Sequence, residues 1–161
     1  MTNQIDRNNF VAIFRTIQIV FGTLALGQIF ILAVFLLTIQ NRSNDEAGEL
    51  NAVLFYVVQI IGITSIFLSR YVYNQNLFKL SLTESVTEKL GKYRTFKIVF
   101  WAIIGGAGLF SLIAFYITSN YLYVIIFILI FIFFLLNRAS REGFVQDIQL
   151  SVSEKDTLFK G

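Results

Sequence analysis

The stretch Ile98–Thr118, IVFWAIIGGAGLFSLIAFYIT, runs without a charged residue and sets Gly105, Gly106, Ala107 and Gly108 side by side at its middle. Two readings compete for such a run. A dinucleotide-binding turn G-x-G-x-x-G begun at Gly106 needs glycine at position 111, a strand before it and an acidic residue about 20 positions on. The chain has Ser111 there, an apolar segment before it, and no acidic residue until Glu142. A Walker loop fails as well, because the Gly91-Lys92 pair is followed by Tyr93 and has no glycine five positions before Gly91. Inside hydrocarbon, by contrast, small residues let helix backbones approach until dispersion holds them together. Ala107, Ser111, Ala114 and Thr118 form one narrow stripe at helical spacing, while Gly105, Gly106 and Gly108 thin the other sides of the helix. The stretch therefore reads as a central packing helix touched by more than one neighbour. A bulky residue at Gly106 is expected to force those neighbours apart.

The rest of the chain supplies the neighbours. Of 161 residues, 56% are hydrophobic and 14% charged, against about 25% charged in an ordinary soluble domain. The apolar residues fall in blocks, which predicts an all-α integral membrane four-helix bundle. Its spans lie at about 16–39, 52–72, 98–118 and 121–137, with a connection over 73–97 and a tail over 138–161. The first span covers roughly 36 Å, enough for a hydrocarbon core of about 30 Å with some tilt. It is also longer than the 7 to 15 apolar residues of a secretory signal, so it reads as a retained helix. The fourth span, YVIIFILIFIFFLL, has no small residue and suits lipid contact or packing by bulk at the periphery. With no proline in the chain, glycine is the remaining source of a bend.

Charge sets the orientation. Of the 13 Lys and Arg residues, Arg42 alone lies between spans one and two, and none lies in the Ser119-Asn120 turn. The other twelve share the opposite side, so the positive-inside rule places both termini and the central connection in the cytoplasm of a cell membrane, a bacterial inner membrane by expectation. The connection carries two capping-box spacings, Ser81 with Glu84 and Ser85 with Glu88, and a glycine stop at Gly91. Phe78, Leu82, Val86 and Leu90 share one helical face there, which predicts a short amphipathic cytoplasmic helix. In the tail, Ser140 is placed to cap a helix through GFVQDIQL with Phe144 and Ile148 on one face, which docks on the bundle or on a partner, and Ser151 with Glu154 offers another box before Leu158 and Phe159.

Little chemistry is on offer. The chain lacks cysteine and histidine, which removes thiolates, the commonest zinc ligands and the usual near-neutral base. No metal, cofactor or nucleic-acid site is expected. The interior polar side chains are Gln28 and Gln59, at similar depth in spans that run opposite ways, so a hydrogen bond between them is the structural expectation and a solute contact the functional one. Small multidrug transporters also have four spans but carry an acidic residue in the first, where this chain has Gln28. Proton-coupled transport ordinarily needs such a group.

The segment KLGKYRTFKIVFWAIIGGAGLFSLIAFYIT, the turn SN and the tail REGFVQDIQLSVSEKDTL resemble small four-span bacterial membrane proteins to which no activity is assigned. In that group span three often has a glutamate just before a Gly-Ala pair, and here Gly105 stands in that place. The resemblance implies a fold and no function. The leading expectation is a non-catalytic accessory or assembly component, held in the lipid bilayer beside a membrane-protein partner or in a homo-oligomer. The alternative is a small channel or transporter for an uncharged solute, lined by Gln28, Gln59, Thr64 and Ser65.

Overall fold

A computed structural model describes residues 2–39, 48–78 and 86–148, and every element among them is helical. In chain order these are α1 (Thr2–Ile39), α2 (Gly48–Phe78), α3 (Val86–Thr118), α4 (Leu122–Leu136) and the short α5 (Arg141–Asp147). The architecture is the expected all-α four-helix bundle, running up and down with a fifth helix across one end. Three helices, α1 to α3, are long and apolar enough to cross a membrane, and α4 is a shorter apolar helix. With 38, 31 and 33 residues, α1, α2 and α3 reach about 57, 46 and 50 Å, well beyond a hydrocarbon core of about 30 Å. Each therefore exceeds that thickness by several turns.

Helix α3 is the hub. It packs against α1, α2 and α4, whereas α1 and α2 pack on α3 rather than on each other. The reason lies in its buried face, where Tyr93, Phe100, Ile104, Ala107, Ser111, Ala114 and Thr118 recur at helical spacing. Against the small part of that stripe, α4 brings bulk: Tyr123, Phe127, Ile130 and Phe134 form its buried face. Ser111 Oγ donates to the Tyr123 carbonyl at 2.7 Å, which locks the two helices in register. Further along, Phe21 of α1 stacks on Phe134 at 4.8 Å and tilts against Trp101 at 5.0 Å, while Trp101 Nε1 donates to the Asn137 carbonyl at 3.1 Å. Gly62 of α2 admits Ile130, whose Cδ1 lies 3.3 Å from where a Cβ would stand. The fourth span is thus packed along one face and open along the other, where Ile125, Ile128, Leu129, Ile132, Leu135 and Leu136 are exposed.

The α3–α4 turn needs only Ser119 and Asn120, with Tyr121 opening the next helix. Ser119 adopts φ 53, the left-handed conformation that ends a helix, and its N–H returns to the Phe115 carbonyl at 2.8 Å. Asn120 Oδ1 then accepts from the Leu122 N–H at 3.0 Å, satisfying a free donor of α4. Asn120 also bonds the Asn51 side chain at 3.2 Å, and Tyr123 Oη reaches the carbonyl and side-chain oxygens of Asn51, each at 2.9 Å. This end of the hairpin is pinned to the start of α2.

The long central connection is shorter in the structure than the sequence suggested. Residues 73–78 continue α2, and residues 86–97 open α3. Phe78, at 89% exposure, and Leu90, at 1%, sit on different helices in opposite surroundings, so they do not share one amphipathic segment. Gly91 does not end a helix either, because it lies within α3. A glycine costs only about 1 kcal/mol relative to alanine inside a helix, and burial of Leu90 and Tyr93 on either side of it offsets that. The Ser81–Glu84 pair and Leu82, like the Ser151–Glu154 pair with Leu158 and Phe159, lie outside the described residues, as does Ser85.

Candidate functional site

Among the described residues Arg70, Lys89, Lys92, Arg94, Lys97, Arg138 and Asp147 lie toward the end of the bundle that carries α5, the basic end. Ser140 caps α5 as its spacing predicts, its Oγ accepting from the Gly143 N–H at 3.0 Å. That cap turns Phe144 and Ile148 into the bundle, where both are buried, and Phe144 meets the Tyr93 ring edge-on at 5.1 Å. Asp147 is carried on the same short helix toward the last turns of α2 and the first turns of α3.

What Asp147 meets is a caged cation. Lys97 Nζ lies 4.4 Å from the ring centre of Tyr73, 5.4 Å from Tyr93 and 5.8 Å from Phe100, so three aromatic faces surround the ammonium. Tyr93, Lys97 and Phe100 stand at i, i+4 and i+7 on one face of α3, and Tyr73 closes the cage from α2. Asp147 Oδ2 approaches the ammonium at 3.8 Å and accepts a hydrogen bond from Tyr73 Oη at 2.5 Å. Burial lowers the Lys97 ammonium from its ordinary value, and the Asp147 carboxylate opposes that shift. Burial also pushes the Tyr73 and Tyr93 phenols far above theirs, so both stay neutral at physiological pH and Tyr73 keeps the proton it donates. The Tyr93 hydroxyl is buried, with the Tyr73 hydroxyl as its polar neighbour among the described residues.

The arrangement can hold α5 against two helices at once. It has a cation, a carboxylate and two neutral phenols, with no nucleophile set against a base. Among the described residues no group of three or more His, Cys, Asp or Glu side chains could hold a metal. The sequence reading placed Phe144 and Ile148 but missed this cluster, since its members are far apart in the chain and none sits in a local motif. The one available signal was Lys97 with Tyr93 and Phe100 at helical spacing.

The interior residues divide. Ala107, Ser111 and Ala114 are buried in the helix contacts expected of them. Gly105 and Gly108 both face Gln28 of α1: a Cβ at Gly105 would lie 3.3 Å from Gln28 Nε2, and one at Gly108 would lie 3.0 Å from Gln28 Oε1 and 3.5 Å from the Phe127 ring. Gly106 is different. It is exposed, with nothing within 4 Å of a Cβ built there, so it takes no part in packing within this chain. The correction has a simple cause: successive residues turn by about 100° on a helix, and only two of the three glycines point at α1.

Gln28 and Gln59 are not brought together. Gln28 is 95% buried between α1 and α3, and its Oε1 has no hydrogen-bond partner, while Gln59 is half-buried on α2. Gln28 is turned to α3, on which both α1 and α2 chiefly pack, so the pairing expected from their depth does not form. Thr64 is exposed on α2, and Ser65 is buried but donates within its own helix to the Gly62 carbonyl at 2.7 Å.

In architecture the chain is thus a hub-and-three-helix bundle with a short helix clasped over its basic end. Compared with known proteins, it matches no family model, no curated protein and no solved structure.

Proposed function

We propose that the protein is a four-span membrane protein with both termini in the cytoplasm, acting as a non-catalytic accessory or assembly component of a membrane complex. The observation that carries this reading is the division of α3. One half of its surface binds α1, α2 and α4, and the opposite line, Thr95, Val99, Ala102, Gly106, Ile113 and Ile117, stays open within an arc of about 60°. Small residues at Ala102 and Gly106 leave room there for a partner's transmembrane helix to approach the backbone closely. The polar residues support the same reading, because Asn51, Ser111, Asn120 and Tyr123 tie this chain to itself, and Gln28, Gln59, Thr64 and Ser65 do not converge on a path. The likeness to small four-span bacterial membrane proteins agrees with it and brings no activity.

Copurification in mild detergent tests the proposal. The expected result is a stoichiometric membrane partner that is lost from Gly106→Leu while the thermal midpoint of the variant stays that of the parent. A lone chain or homo-oligomer that carries an uncharged solute across liposomes would replace this reading with the transport one.

A further inference from the structure

Between α1 and the α4–α5 junction lies a cleft of about 420 Å³, lined by Phe14, Gln18 and Phe21 on one side and Arg138, Ala139 and Ser140 on the other. Its volume is within the range of about 300 to 1,000 Å³ usual for small-ligand sites. The walls are divided by chemistry. Phe14 and Phe21 make an aromatic side continuous with the core, since Phe14 is buried and Phe21 stacks on Phe134. Gln18, Arg138 and Ser140 supply an amide, a guanidinium and a hydroxyl, and the described lining includes no carboxylate. Arg138 is exposed, so an oxyanion arriving from outside can reach its fork of donors.

We propose that this cleft holds the phosphodiester headgroup of an anionic phospholipid in the leaflet that meets the basic end. Arg138 takes the phosphate oxygens, Gln18 and the Ser140 hydroxyl take the glycerol oxygens, and Phe14 and Phe21 bear against the first carbons of an acyl chain. The placement fits the chemistry, because Arg138 follows directly on the apolar α4 and stands where hydrocarbon gives way to headgroups. Basic pockets between transmembrane helices on the cytoplasmic side are a recurrent way to hold anionic headgroups. The assignment rests on the membrane-spanning reading above.

The test uses the full chain in nanodiscs of phosphatidylcholine and phosphatidylglycerol in equal parts, with lipid retained after gentle detergent extraction measured by native mass spectrometry. Phosphatidylglycerol is expected to be retained about fivefold over phosphatidylcholine, the preference one well-placed cation gives. Arg138→Gln should remove that preference and Arg138→Lys should keep most of it. Arg70→Gln should leave it unchanged, because Arg70 is at the same end but sits over Phe133, away from the cleft. Equal loss from Arg70→Gln would reduce the effect to general surface charge and overturn the site. Displacement of the lipid by millimolar inorganic phosphate would assign the cleft to the free anion instead. Failure of the membrane reading is distinguishable, since a chain that does not enter the bilayer fails to assemble into the mixed nanodisc, whereas failure of the site alone leaves equal retention of both lipids.

Discussion

At the scale of single residues, the three glycines of α3 are a lesson in azimuth. Composition makes Gly105, Gly106 and Gly108 equivalent, and a helix apolar on every side has no polar face to say which way is in. The structure separates them: two sit under Gln28, and Gly106 faces open space. The stripe Ala107, Ser111 and Ala114 was legible because i, i+4 and i+7 spacing needs only one neighbour to be meaningful, whereas the glycines required the position of α1. Substitution by leucine should tell them apart. Gly108→Leu must push against Gln28 Oε1 and the Phe127 ring, an overpacking cost of about 1–3 kcal/mol. Gly106→Leu should be neutral or slightly stabilising, since leucine is the better helix former by up to about 1 kcal/mol. Ile126→Leu, an isomeric swap at a half-buried site, should stay below about 1.5 kcal/mol. Thermal midpoints in one detergent check all three. A Gly106→Leu variant as unstable as Gly108→Leu would mean that the open side of α3 is closed within the chain.

At the scale of elements, α5 is the piece whose position was partly readable. Ser140 with its following apolar pair announced a capped helix with one buried face, and that is how α5 sits. The contact that holds its far end was not readable, because Tyr73, Lys97 and Asp147 come from α2, α3 and α5 and meet only after the bundle has formed. Asp147→Asn leaves the shape and removes the charge, so the caged ammonium of Lys97 loses its counter-ion and Tyr73 donates to a neutral acceptor. The pair is partly open to solvent, which reduces the cost to on the order of 1–2 kcal/mol. Hydrogen exchange over residues 141–148 should quicken in this variant while protection in α3 and α4 is kept. Unchanged exchange in α5 would show that Phe144 and Ile148 hold it without help from the charge. The continuous α2 and α3 were misjudged in the other direction. Gly91 looked like a break, yet a lone glycine is weak against the packing of a long helix.

At the scale of the molecule, alternation of long apolar blocks was enough to give four antiparallel helices and to place α3 at their centre. The order of the others around it was not. Nothing in the local pattern of α1 or α2 says that each packs chiefly on α3, and their two glutamines at matched depth suggested that they pair with each other. Which end faces the cytoplasm is a matter of charge, and it has a direct check. A reporter active only in the cytoplasm should be silent when fused after Gly48 and active when fused after Gly161, because twelve of the 13 basic residues lie on the latter side. Activity at Gly48 would invert the bundle and place the Arg138 cleft at the opposite leaflet.

The hub arrangement has a bearing on how the chain is made. Synthesis delivers α1 and α2 before α3, yet these first two helices have α3 rather than each other as their packing surface. In the proposed membrane topology, a hairpin waits in the bilayer for the time needed to translate the residues up to Thr118, with its inward faces, Gln28 among them, in contact with lipid. A stalled or truncated product ending before α3 would therefore be a hairpin without its main packing surface. Completion of the third helix is the event that gives α1 and α2 their packing surface.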